Sequence, residues 1–170
     1  MSPVTLKSAK LKSQFYFRNL IIFRTVVSIL LLFWCAGFLF PLISFFTNDK
    51  LVEFILTKLY SIVCHQQSDK CISFDGIQLL VCGRCTGIYL GAFLTSIIVF
   101  TFKETFIKEK LVLAALFFLL TDVMLVTIGV YQYSKTIAFS LGLLFGLVVY
   151  LYLMSELENF FFAAEPEIIQ

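Results

Sequence analysis

The chain of 170 residues is 60% hydrophobic and only 14% charged, with 21 phenylalanines and a mean hydropathy of +0.96. Soluble domains run nearer to roughly 45–50% apolar and about 25% charged, so the composition argues against an ordinary soluble enzyme and for one membrane domain over residues 1–170. The net charge of +2 is unevenly spread: Lys7, Lys10, Lys12 and Arg18 precede the first apolar run, and Glu156, Glu158, Glu165 and Glu167 gather near the end. Because the basic stretch abuts an apolar segment, retention on the cytoplasmic side of a lipid bilayer explains it better than nucleic acid, which is not expected as a partner.

The first predicted span covers 25–46, "TVVSILLLFWCAGFLFPLISFF". A hydrocarbon core about 30 Å thick needs about 20 apolar residues, which this run supplies. A signal peptide has a shorter apolar core and a small-residue cleavage site; this run ends in Phe-Phe and reads as an uncleaved anchor. Arg24, at its cytoplasmic end, is able to snorkel, and Cys35 is expected to be a small apolar filler.

Residues 47–83 are mixed rather than apolar. "LVEFILTKLYSIV" (51–63) places Glu53, Thr57, Lys58 and Ser61 on one helical face and suits a helix lying at the membrane interface, or packed on the bundle outside it. "QQSDKCISFDG" then reads as a polar turn region. The second span is expected over 84–102, followed by the charged turn "KETFIKEK" with Lys103, Lys108 and Lys110. The third covers 111–130, with Asp122 near its middle, and the fourth 137–154, after a turn that carries Lys135. The expected fold class is all-α: a polytopic membrane helix bundle of four transmembrane helices plus one interfacial amphipathic helix. Positive-inside counting favours cytoplasmic N- and C-termini and an extracytoplasmic 47–83 loop.

Within the spans, Gly87 with Gly91 and Gly142 with Gly146 form two GxxxG patterns, which let helix backbones approach closely. Packing within the bundle is the plainer expectation; a homo-oligomer, or another membrane protein as partner, is the alternative.

The chemistry concentrates in the loop. Cys64, Cys71, Cys82, Cys85 and the one histidine, His65, lie within 22 residues of sequence, counted from 64 to 85. Cys82-Gly-Arg-Cys85 is a CxxC, whose thiols can close on one metal ion or on each other. The leading expectation is a soft metal ion, zinc with iron or copper as alternatives, held by Cys64, His65, Cys82 and Cys85, in a structural or sensing role; Cys71 is the substitute ligand. Cys64 and His65 are neighbours and point in different directions in regular structure, so both ligate one ion only from a turn. Arg84 beside the pair would offset thiolate charge.

Thiol–disulfide exchange through Cys82 and Cys85, with Cys64 and Cys71 as a second pair, is the alternative, since an extracytoplasmic site is oxidising and a helix N-terminus favours thiolate. Its architecture is similar to quinone-linked four-helix enzymes that make disulfides, so a quinone is a partner under that reading alone. Two disulfides that merely staple the loop are the plainest reading, although a staple has no use for His65. Asp122, an acid placed mid-bilayer, raises a third class, a small transporter; a tyrosine, Thr121 or Thr127 would be its partner. No P-loop, GxSxG, HExxH or Rossmann fingerprint occurs.

The residues Cys64-His65-Gln66, Gly76, Gln78-Leu79 and Val81-Cys82 with Arg84-Cys85-Thr86-Gly87-Ile88-Tyr89 resemble the signature of an uncharacterised family of small bacterial multi-pass membrane proteins, known only as a domain of unknown function. The resemblance extends to Asp122, Gly142 and Gly146. Leu80 stands where that family has proline, Cys71 where it has serine, and Lys135 is the nearest cation to an arginine expected early in the fourth span. The resemblance implies a bacterial cytoplasmic (inner) membrane location and brings no established activity.

Overall fold

The computed structural model describes residues 3–47, 50–100 and 108–162, with side-chain surroundings over 18–42, 50–100 and 108–160. The expected Lys103 turn, the end of the second span beyond residue 100 and the last eight residues lie outside the described residues.

The chain is mostly helical: α1 (Pro3–Thr47), α2 (Lys50–Ser61), α3 (Gly83–Ile98), α4 (Glu109–Ile128) and α5 (Lys135–Phe162), with a hairpin of β1 (Cys71–Phe74) and β2 (Ile77–Cys82) between α2 and α3. The hairpin corrects the all-α expectation. Its turn is Asp75-Gly76, both at positive φ (46° and 83°), which is the Asp-Gly two-residue turn that matches strand twist. Phe74 pairs with Ile77, Ser73 with Gln78 and, after a register shift, Cys71 with Cys82. Leu79, Leu80 and Val81 are buried in succession because β2 packs against both α1 and α2.

Three helices are long and apolar enough to cross a bilayer, within Arg18–Leu42, Glu109–Ile128 and Lys135–Phe160. The helix of the expected second span, α3, has 16 residues, about 24 Å at 1.5 Å per residue, which falls short of a full crossing within the described residues. The helix α1 begins far ahead of the expected residue 25 and carries Pro41 inside it. At the end of α4, Gly129 takes a left-handed conformation (φ 81°) and its N–H bonds the Leu125 and Val126 carbonyls, a glycine stop.

The most extensive packing is α3 on α5. A Cβ built on Gly87 would overlap the Phe139 carbonyl oxygen and stand 2.9 Å from Leu143 N; one on Gly146 would overlap the Ile88 carbonyl and stand 2.9 Å from Ile88 Cα. Gly91 and Gly142 are closed in the same way, by Leu143 and Arg84 backbone. The two GxxxG patterns therefore interlock within one chain. By contrast α4 buries only Asp122 and exposes Leu113, Phe117, Phe118 and Met124, an apolar surface of the kind acyl chains cover.

Arg24 does not snorkel. It is buried, donates from Nε and Nη2 to the two carboxylate oxygens of Glu158 (2.6 and 2.8 Å) and from Nη1 to the Val99 carbonyl (3.0 Å), tying α1 and α5 to the residue that follows α3. The pairing is bidentate, the geometry in which an arginine is strongest.

Candidate metal centre

The helix α2 ends at Ser61, and Cys64 N–H still bonds the Tyr60 carbonyl (2.9 Å), so the chain leaves the helix with Cys64 turned inward. Tyr60 anchors that exit: it is buried, its hydroxyl donates to the Trp34 carbonyl (2.6 Å), and its ring lies 4.9 Å from the Trp34 ring, edge to face. Gly37 on α1 leaves the space for the phenol. Cys82 is both the last residue of β2 and the N-cap of α3, in extended conformation, and Cys85 sits in the first turn of α3. Two chain reversals thus deliver three thiols to one point.

The Sγ atoms of Cys64, Cys82 and Cys85 all lie within 4.8 Å of one another. Zinc–thiolate bonds of about 2.3 Å in a tetrahedron put sulfurs about 3.8 Å apart, so the group is close to ligating geometry. The Cys64 sulfur accepts the Cys82 N–H (3.2 Å). Hydrogen bonds from the Cys82 and Cys85 thiols, and from the backbone of Cys82 and Gln66, hold the Cys64 thiol well below its ordinary range despite its burial. Such N–H···S bonds are what orients and stabilises a thiolate ligand.

His65 is exposed and lies outside this group. Cys64 is buried and His65 exposed, in keeping with the divergence expected of adjacent residues. Cys71 is buried, stands opposite Cys82 in the hairpin register and is also outside the group; burial pushes its thiol up to about 11. All five cysteines are free thiols, so Cys64 keeps company with the CxxC pair and not with Cys71. Around the three sulfurs pack Trp34, Phe38, Tyr60, Leu80, Val81 and Tyr89, and Cys35 lies in the same core.

Arg84 pairs with the buried acid of α4: its Nη2 donates to Asp122 Oδ2 (2.5 Å), and Tyr131 donates its phenolic proton to Asp122 Oδ1. The tyrosine partner was among those expected for Asp122; Arg84, 38 residues away in sequence, was not. The guanidinium also lies 6.0 Å from the Tyr133 ring centroid, and Lys70 Nζ lies 5.8 Å from it. Gln66 belongs to the Cys-His-Gln motif, whose pattern gives its side chain no role, yet its amide joins α2 to β2, donating to the carbonyls of Thr57 (3.0 Å) and Leu80 (2.9 Å). Its φ of 49°, rare for a residue with a side chain, costs about 1–2 kcal/mol that these bonds offset.

No solved structure matches this chain. Among curated relatives, an uncharacterized protein of the archaeon Methanothermobacter thermautotrophicus is 33% identical over 87 residues, 50% of this chain and 78% of the relative. An uncharacterized protein of Methanocaldococcus jannaschii is 26% identical over 133 residues, 73% of this chain and 85% of the relative. Both are archaeal, so the relatives lend no support to the expected bacterial restriction. Residues 64–152, from the first cysteine of the triad into α5, match the family described as predicted membrane protein (DUF2085), and with just over half its length covered this chain belongs to that family.

Proposed function

We propose that this protein is a multi-pass membrane protein that holds one soft metal ion, zinc with iron or copper as alternatives, on the thiolates of Cys64, Cys82 and Cys85. The observation that carries the reading is the convergence of three Sγ atoms within 4.8 Å at the junction of three elements, with backbone N–H groups already aimed at the Cys64 sulfur. Three protein ligands leave a fourth position, which a closed structural site would fill with its own side chain and an open site leaves to water or another ligand. The ion would pin α2 and the hairpin to the start of α3, in a structural or sensing role. In this reading the exposed His65 and the buried Cys71 stay outside the ligand set. Asp122 is engaged by Arg84 and Tyr131, which favours a structural part for it over transport.

The proposed topology has α1, α3, α4 and α5 as four spans and α2 at the interface, with both termini cytoplasmic and the cysteines outside. The exposed apolar face of α2 (Leu51, Phe54, Ile55) and the lysine distribution support it. Elemental analysis of the gently solubilised protein tests the metal, beside a Cys82→Ser/Cys85→Ser control. About one ion per chain, lost in the control, is expected for such a site. A metal-free wild type whose Cys82→Ser variant traps mixed disulfides at Cys85 would replace this reading with thiol–disulfide exchange. A cytoplasmic label on the 47–83 segment would reverse the orientation.

A further inference from the structure

α2 turns its apolar side outward. Its residues Leu51, Phe54 and Ile55 are exposed, as is Ile62 just beyond its end, while Glu53 and Thr57 are half-buried against a cavity of about 660 Å³. That volume is in the roughly 300–1,000 Å³ range of small-molecule pockets. The cavity runs between α2 and the hairpin: Glu53 and Thr57 form one wall, Cys71 and Leu80 the other, Gln66 stands at its inner end, and the exposed Lys50 at its rim.

The triad cysteines do not line the cavity, but Gln66 joins the two: it lines the cavity and its backbone bonds the Cys64 sulfur. Gln66 is two residues past Cys64, and Leu80 is two residues before Cys82. The Gln66 amide spans from the Thr57 carbonyl to the Leu80 carbonyl, so one side chain ties together two walls of the cavity beside the buried Cys64. Cys64 is the buried member of the triad, and the aromatic residues packed in its cluster, Trp34, Phe38, Tyr60 and Tyr89, present no charged group to an arriving ion.

We propose that this cavity is the aqueous approach to Cys64, the buried ligand of the triad, that Glu53 gathers cations in it, and that the Gln66 side chain is the latch between cavity and Cys64. The identity of the cargo rests on the metal-binding reading; the route and its latch rest on the cavity and the two Gln66 hydrogen bonds. Release of either bond swings a flexible side chain while Cys64 stays where its backbone holds it. The latch therefore governs how fast the site fills and empties, and leaves the number of ions bound unchanged.

The test uses the full metal-free chain in detergent or nanodiscs and a small neutral thiol reagent, iodoacetamide, with the alkylation rate read at each cysteine by peptide mass spectrometry. Gln66→Ala is expected to speed labelling of Cys64 severalfold. Thr57→Trp, which fills the cavity, is expected to slow it severalfold, with the half-exposed Cys82 and Cys85 unchanged in both. Gln78→Trp, on the exposed hairpin edge at the cavity, gives the same slowing should the Thr57 variant not fold. A Cys64 rate that ignores all three substitutions, or that moves in step with Cys82 and Cys85, would overturn the route. After zinc loading, faster extraction by a chelator from Gln66→Ala at unchanged stoichiometry is the matching result. A wild type that takes no zinc sinks the metal reading, and the labelling rates still decide the route.

Discussion

The helix α3 presents two faces built on opposite terms. One carries Gly83, Gly87, Gly91 and Thr95, four apart and all buried, three of them with backbone or near-backbone neighbours on or just before α5. The other carries Cys85, Tyr89 and Phe93, also four apart, packed on the core that α1, α2 and β2 share. The first face meets carbonyl oxygens, which cannot turn aside. The second meets side chains, which can rotate, repack or take an ion between them. The molecule therefore has a fixed joint along one side of α3 and an adjustable one, where the cysteines gather, along the other.

The comparison breaks most completely at the glycines. Adding methylenes to a core lined by side chains costs about 1–3 kcal/mol, and here the obstacle is main chain. Gly146→Leu, whose first new atom already overlaps the Ile88 carbonyl, is expected to abolish the folded state; size-exclusion of the solubilised variant would show aggregate in place of a single species. A well-folded Gly146→Leu protein would mean that α3 and α5 do not meet as described.

The Arg84–Asp122 ion pair comes next. Asp122 is the one buried residue of α4, so its bond to Arg84 is the chief polar anchor of that helix to the start of α3. Leaving one partner of a buried pair costs about 3–5 kcal/mol, whereas replacing both with apolar groups is often near neutral. Asp122→Leu is thus expected to lower the unfolding midpoint sharply, and Arg84→Met with Asp122→Leu to recover most of the loss. A double-mutant cycle by thermal unfolding measures it. Full activity of an Asp122→Asn protein in any assay later found would confirm that the acid serves structure alone.

How much of this could be read from the chain alone follows from where each signal lives. The apolar runs mark α1, α4 and α5 because burial in lipid is a property of every residue in the run. The close approach of α3 to α5 is written in glycines spaced one turn apart, and the cysteine triad in a CxxC with a cysteine upstream. Arg84 with Asp122, and Arg24 with Glu158, are pairs between distant elements, and no local pattern announces them. The hairpin was legible: Asp75-Gly76 between apolar runs is a strong turn signal, masked by the polar residues before it. The choice of Cys64 over His65 was not, since it depends on the angle at which α2 ends, and Tyr60 against Gly37 sets that angle.

The adjustable face predicts smaller effects of a different kind. An ion bound only by the folded chain stabilises it by about 2.7 kcal/mol at a hundredfold excess over the dissociation constant. Chelator treatment should therefore lower the unfolding midpoint of the wild type and leave Cys82→Ser/Cys85→Ser unmoved, read by thermal unfolding with and without chelator. Thiol ligands must be deprotonated to bind, so acidification should release the ion and reproduce the effect of the chelator. Equal chelator shifts in both proteins would place the ion elsewhere.

The smallest effect is expected at Cys35, which shares the aromatic core with the triad but meets the Tyr89 carbonyl (3.7 Å) and no other thiol of the group. Its thiol is a small apolar filler in a face that can close around a lost atom, so Cys35→Ala should cost about 1 kcal/mol. Metal content and the Cys64 labelling rate should stay at wild-type values. Were Cys35→Ala to halve the metal content, the sulfur now assigned to packing would belong to the ligand set, and the fourth ligand would come from α1. A small loss of stability with full metal content would instead fix the boundary of the site between Tyr89 and Cys35, separating residues that surround the ion from those that hold it.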